Sequence, residues 1–225
     1  MKIGILMTGH AIPEFEKDFG DYDKLFARLL AGHGFEFVDF DIEGGVFPPG
    51  PEAADGWLIT GSRHGAYEDH PWIPPLEQLI RDIYADGRPL VGVCFGHQII
   101  AQALGGKVEK FGGGWSVGRT TYEIDGHETA LNAWHQDQVT EVPDGAEVIG
   151  SSDFCANAAL LYGNKVYSVQ PHPEFTAPMV DMLVKRRGKG VVPDALLAGA
   201  STQLDAPVDN ADIAARMAAF FKRGA

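Results

Sequence analysis

Apolar and polar positions along this chain follow two textures that meet near residue 106. Before that point, short apolar runs alternate with stretches whose apolar residues recur every three or four positions. Residues 2–8 (KIGILMT) form a first strand-length run. Tyr22, Leu25, Phe26, Leu29 and Leu30 then share one helical face, which Gly32 and Gly34 stop. Residues 35–40 and 56–60 read as the second and third strands, separated by a Gly/Pro-rich loop with room for a short helix at its end. A helix starts near Ile73, with Pro74 and Pro75 confined to its first turn, and Leu76, Leu79, Ile80 and Ile83 as its apolar stripe. Residues 88–93 (RPLVGV) are the fourth strand, and the helix after Cys94 runs to Gly105 and Gly106. This alternation predicts a doubly wound, mostly parallel α/β sheet.

After residue 106 the apolar segments shorten. They fall at 108–111, 117–124, 146–150, 158–162 and 166–170, divided by turn residues as in an added antiparallel, β-rich segment. Residues 125–132 fit a loop or a strand end equally well. Helical texture returns at 177–187, 193–199 and 210–222. With no internal repeat and no linker, residues 1–225 are expected to form one domain.

Composition narrows the function classes. Hydrophobic residues make up 45% of the chain and charged residues 22%, as in a globular protein, while the net charge of −13 argues against a nucleic-acid partner. No apolar run approaches the roughly 18 residues of a membrane span, and the opening run lacks the features of a signal peptide. The two cysteines provide no disulfide framework, and no Cys/His spacing indicates a metal. A cytoplasmic protein without cofactor or metal is expected.

The chemistry concentrates at two segments. Gly92-Val93-Cys94-Phe95-Gly96 has the spacing of a nucleophile elbow with cysteine as its central residue. A sharp turn from strand to helix strains the central residue and leaves no room for side chains two positions away. Cys94 at the helix start gains from the positive end of the helix dipole, which favours thiolate. The Phe95 N–H, lacking an intrahelical partner, is available to an oxyanion. A packed thiol beside an ordinary glycine-rich turn fits the pentapeptide as well. The second segment, VQPHPEF at 169–175, decides between them. Its apolar start reads as a strand end, and Pro173 keeps His172 extended. Residues i and i+2 of extended chain share a side, so Glu174 can hold the His172 imidazole. A nucleophile, a base and an orienter are then all present.

Cys155 has neither flanking glycines nor a helix start and reads as structural. His10, His64 and His70 lie in loops and read as solvated, while His97 lies in the helix after the elbow and His127 in a turn. His135, in AWHQDQV, is a candidate for shaping the site.

These residues carry a resemblance. RPLVGVCFGHQIIAQALGG, LITGS at 58–62, GGGWSVG at 112–118, WHQDQV and VQPHPEF together resemble the class I (triad) glutamine amidotransferases, especially stand-alone, GMP-synthase-like members. The resemblance implies a flavodoxin-like fold and hydrolysis of the glutamine side-chain amide through a γ-glutamyl thioester on Cys94, with His172 as acid and base and Glu174 as its orienter. It implies an oxyanion hole from Phe95 and Gly61, and substrate contacts from Gln98 and from Gly114, Trp115 and Ser116. Pro171 departs from the family, which commonly has an aromatic residue there. No P-loop of the form GxxxxGK[ST] is present, so the ammonia is expected to pass to a separate synthetase or acceptor protein. A γ-glutamyl peptide or amide hydrolase with the same triad is the alternative, and a non-catalytic regulatory module a second.

Overall fold

The computed structural model describes residues 1–223. Its main sheet has nine strands in the order β2-β1-β3-β4-β11-β10-β9-β6-β7. The parallel half consists of β1 (Lys2–Met7), β2 (Glu36–Asp41), β3 (Gly56–Ile59), β4 (Leu90–Val93) and β11 (Val166–Val169). In chain order these five read 2-1-3-4-5, the flavodoxin-like arrangement. The remaining strands β10 (Ala159–Tyr162), β9 (Glu147–Ser151), β6 (Ser116–Ile124) and β7 (His127–His135) extend the sheet with antiparallel pairing. A separate antiparallel pair joins β5 (Lys107–Lys110) to β8 (Asp137–Glu141).

Burial explains the central strands. Every residue of β3, β4 and β11 is buried, as expected for parallel strands covered on both faces. On one face, Ile3, Ile5, Val91 and Val93 pack with Phe26 of α2 (Tyr22–Leu29) and with Ile213, Met217 and Phe221 of α7 (Asn210–Arg223). On the other, Leu6, Trp57, Ile59 and Leu90 meet α3 (Ile73–Asp86) and α4 (Phe95–Ala103) through Leu76, Ile80, Ile83, Ile99 and Ile100. A third apolar cluster, with Phe15, Phe175, Met179 and Leu197, joins α1 (Pro13–Phe19), α5 (Ala177–Leu183) and α6 (Asp194–Thr202) near the C-terminal ends of the parallel strands.

Several expectations gain detail. The short helix before β3 is a 3-10 turn at Pro51–Ala53. α1 was not evident from apolar periodicity, since Phe15 is its only buried residue. Residues 127–132 belong to a full strand: β6 and β7 form a hairpin closed by Asp125 and Gly126, with φ values of 53° and 73°. The helical stretch predicted at 177–187 passes from α5 into a π-helical turn at Val184–Gly188. No helix among the described residues is long and apolar enough to cross a membrane.

Candidate functional site

Three adjacent parallel strands end side by side, and each delivers one part of the site. β4 runs into Cys94, the N-cap of α4, whose backbone has φ 54° and ψ −105°. A non-glycine residue in that region is strained. The flanking glycines permit the turn. A Cβ at Gly92 would lie 2.6 Å from the Gly96 carbonyl carbon and from its oxygen, and one at Gly96 would be driven into the Ile59 carbonyl. Backbone hydrogen bonds tie this elbow to both neighbours. Cys94 N–H donates to the Val169 carbonyl at the end of β11, and Gly96 N–H to the Thr60 carbonyl after β3, at 2.9 and 3.1 Å.

β11 leads through the buried Gln170 and Pro171 to His172 and Glu174. His172 Nδ1 lies 2.7 Å from Glu174 Oε1, and the two side chains are 4% and 0% exposed. The imidazole stacks on the Phe175 ring, with centroids 4.1 Å apart and planes 4° from parallel. Burial alone would depress the His172 pKa, but the Glu174 and Cys94 charges outweigh it and hold the imidazole well above the ordinary histidine value. His172 and Cys94 face the same space. A Cβ on Gly61, in the loop after β3, would be 3.1 Å from His172 Cε1 and 3.8 Å from Cys94 Cβ.

That space is a cavity of about 350 Å³ whose walls include Cys94, Gln98, Trp115, His135, His172 and Arg187. Gln98 sits in its wall with Nε2 donating to the Asp137 carbonyl and to Gln170 Oε1, at 2.9 and 3.0 Å. Trp115 reaches the cavity. Gly114 stands in the turn before it with φ 96°, and the buried Ser116 pairs with Thr120 at 3.4 Å. His135 is buried and neutral, its pKa lowered to about 3 by burial. Its Nδ1 lies 3.2 Å from the Asp137 carbonyl, while Nε2 has no partner among the described residues.

Other sequence expectations divide. Cys155 is buried, and burial pushes its thiol up to about 12. His97 is buried against Ser168 Oγ at 2.9 Å, and burial lowers it to about 4. The loop histidines are not simply solvated. His10 lies between Asp21 and Asp41, while His64 and His70 both approach Glu68, and His10 and His64 line the cavity. Each loop histidine meets a carboxylate distant in the sequence or across a turn, which a single-position reading does not register.

Sequence reasoning also missed Asn132. Its carbonyl accepts the His172 N–H at 2.8 Å, and its side-chain amide donates to the Phe175 carbonyl at 3.0 Å. Asn210 Nδ2 donates to the same carbonyl at 2.9 Å. The Asp125-Gly126 dipeptide, a strong hairpin signal, was the one available clue that Asn132 lies in a strand.

Comparison with known proteins follows the same lines. The family model for glutamine amidotransferase class-I matches residues 36–184. Gamma-glutamyl peptidase 4 of Arabidopsis thaliana is 30% identical over 195 residues, covering 78% of each chain. A glutamine-hydrolysing GMP synthase of Clostridium novyi (strain NT) is 33% identical over 172 residues, covering 70% of this chain and 32% of the longer relative. The crystal structure of a glutamine amidotransferase from Methylobacillus flagellatus superposes with a TM-score of 0.77 over 99% of this chain and 94% of its own, at 24% identity.

Proposed function

This chain belongs to the class-I glutamine amidotransferase family, and we propose that it hydrolyses the side-chain amide of glutamine through a thioester on Cys94. His172 takes the thiol proton, and the sulfur attacks the γ-carbonyl carbon. With Nδ1 engaged by Glu174, Nε2 is the nitrogen left for that transfer. The tetrahedral intermediate collapses as the C–N bond breaks, and His172 returns the proton to the departing ammonia. Water then loses a proton to His172 and attacks the thioester; the C–S bond breaks and His172 returns that proton to the sulfur, giving glutamate and free Cys94. Glu174 orients and stabilises the imidazolium throughout.

Backbone donors supply the remaining electrostatics in this reading. The Phe95 N–H opens α4, and the Gly61 N–H belongs to the loop bordering both reacting side chains. Together they serve as the oxyanion hole. Gln98, Trp115 and His135 contact or shape the bound glutamine from the cavity wall, with Gly114 and Ser116, the first residue of β6, on either side of Trp115 in the chain. The ammonia passes to an acceptor or partner protein, a reading supported by the name of the glutamine-hydrolysing GMP synthase relative.

One observation carries the proposal: His172, held at 2.7 Å by Glu174, and Cys94 lie on the wall of one cavity. A second reading, hydrolysis of γ-glutamyl peptides or amides by the same residues, is favoured by the cavity's size. A volume of about 350 Å³ falls within the roughly 300–1,000 Å³ of pockets for drug-sized ligands and leaves space for a leaving group larger than ammonia. The Arabidopsis relative's name points the same way.

The two readings share one thioester and differ in the amine released. Assays of glutamine beside γ-glutamyl amines and dipeptides, with and without candidate synthetases, separate them. Higher kcat/KM for glutamine supports the first reading; higher kcat/KM for the peptides replaces it with the second.

A further inference from the structure

The loop between β3 and α3 carries a second group of side chains with recognisable chemistry. His64, Glu68 and His70 each present a donor atom, and all three atoms lie within 4.8 Å of one another. Glu68 Oε2 stands between the two imidazoles, 3.3 Å from His64 Nδ1 and 2.7 Å from His70 Nε2. Zinc held at about 2.0–2.2 Å by such ligands keeps its donors about 3.4 Å apart. The present spacing therefore needs only small side-chain shifts to admit an ion.

The surroundings are also suited to metal binding. A metal-bound histidine ordinarily donates its other ring N–H to a carboxylate. His64 Nε2 lies 3.1 Å from Glu43 Oε1 and accepts from Arg63 Nε at 3.3 Å, so a metal on Nδ1 would select the tautomer that donates to Glu43 and releases the Arg63 contact. The His70 ring stacks on Trp72, with planes 11° apart, which fixes its direction. Arg63 opposes a cation, but it pairs with Glu43 at 3.0 Å, and two carboxylates stand against its single charge. All three donor residues are accessible enough to exchange an ion with solvent, with side-chain exposures of 17%, 43% and 30%.

We propose that His64, Glu68 and His70 bind a zinc-class divalent cation in the rim of the cavity that contains Cys94, with water completing the coordination. The ligand set of two histidines and one glutamate matches borderline metals such as Zn²⁺ better than Ca²⁺ or Mg²⁺, which prefer all-oxygen sites. His64 and Glu68 belong to the cavity lining, so an occupied site would fix the loop that begins at Gly61 and place positive charge beside the cavity.

The test uses Zn²⁺ itself, titrated calorimetrically into the full chain carrying Cys94→Ser, which removes the cavity thiol as a competing ligand. One equivalent should bind. Glu68→Gln and His70→Gln should each weaken it more than about tenfold, and Glu43→Gln by about 10–100-fold, as for other outer carboxylates. Co²⁺ should give visible ligand-field bands with the parent and none with His70→Gln. Far-UV circular dichroism identifies any variant that has lost the fold, leaving the others to report. Absence of Zn²⁺ binding, equal affinity in the folded variants, or unchanged Co²⁺ bands would overturn the assignment.

Discussion

Asn132 grips the His172 segment at two points, its carbonyl accepting the His172 N–H at 2.8 Å and its amide donating to the Phe175 carbonyl at 3.0 Å. The bridge joins edge strand β7 to the turn after β11, so the antiparallel extension of the sheet braces the imidazole. Asn132→Ala leaves the Phe175 carbonyl with Asn210 as its one side-chain donor among the described residues. Loss of a buried hydrogen bond of this type costs about 1–3 kcal/mol. The expected outcome is a lower urea midpoint together with a fall in kcat larger than any rise in KM; an unchanged kcat in the folded variant contradicts the bracing role.

The elbow glycines make a steric prediction. Ala at Gly92 or Gly96 would place a Cβ against the backbone of Gly96 or Ile59. Overpacking of this kind costs about 1–3 kcal/mol. Both variants should unfold at lower urea than Gly199→Ala, in α6, where a Cβ meets nothing within 4 Å. Equal midpoints for the three would remove the steric argument.

His172 offers a pH signature. Burial opposes its charge, yet the Glu174 and Cys94 charges raise its pKa above the ordinary histidine value of 6.5. A raised histidine stabilises the fold fully below its unfolded pKa, and this contribution is lost as pH rises through the higher folded value. Glu174→Gln should therefore lower the His172 titration point, followed by NMR of labelled imidazole. It should also reduce stability most on the acid side of that transition. A His172 resonance titrating near 6.5 in both proteins contradicts the coupling.

His135 presents an Nε2 with no partner among the described residues, while its Nδ1 is held by the Asp137 carbonyl. As a neutral acceptor in the cavity wall, it is suited to a substrate N–H. A hydrogen bond of about 1–1.5 kcal/mol corresponds to a KM increase of about tenfold in His135→Phe, with kcat changed less. A selective loss of kcat would assign the residue a different role.

Local spacing made the parallel half of this fold and its central residues legible. Strands flanked by glycine and amphipathic stripes read directly as β–α units, and steric crowding requires the glycines beside Cys94. The i, i+2 relation of His172 and Glu174 needed only extended chain. What escaped depends on pairing across long separations. Asn132 meets His172 only because β7 closes the far side of the sheet, and its apolar–polar pattern alone does not distinguish that strand from a loop. His64 and His70 converge on Glu68 through an irregular turn with no repeating period. α1, with one buried side chain, lacks the stripe that periodicity detects.

Acid quenching during turnover of glutamine or a γ-glutamyl anilide, followed by mass spectrometry of the digested protein, tests the thioester directly. One γ-glutamyl group should be found on the peptide carrying Cys94, absent in Cys94→Ala and retained in Cys155→Ser. Amine release without that adduct, or equal release by Cys94→Ala, would contradict nucleophilic attack by Cys94.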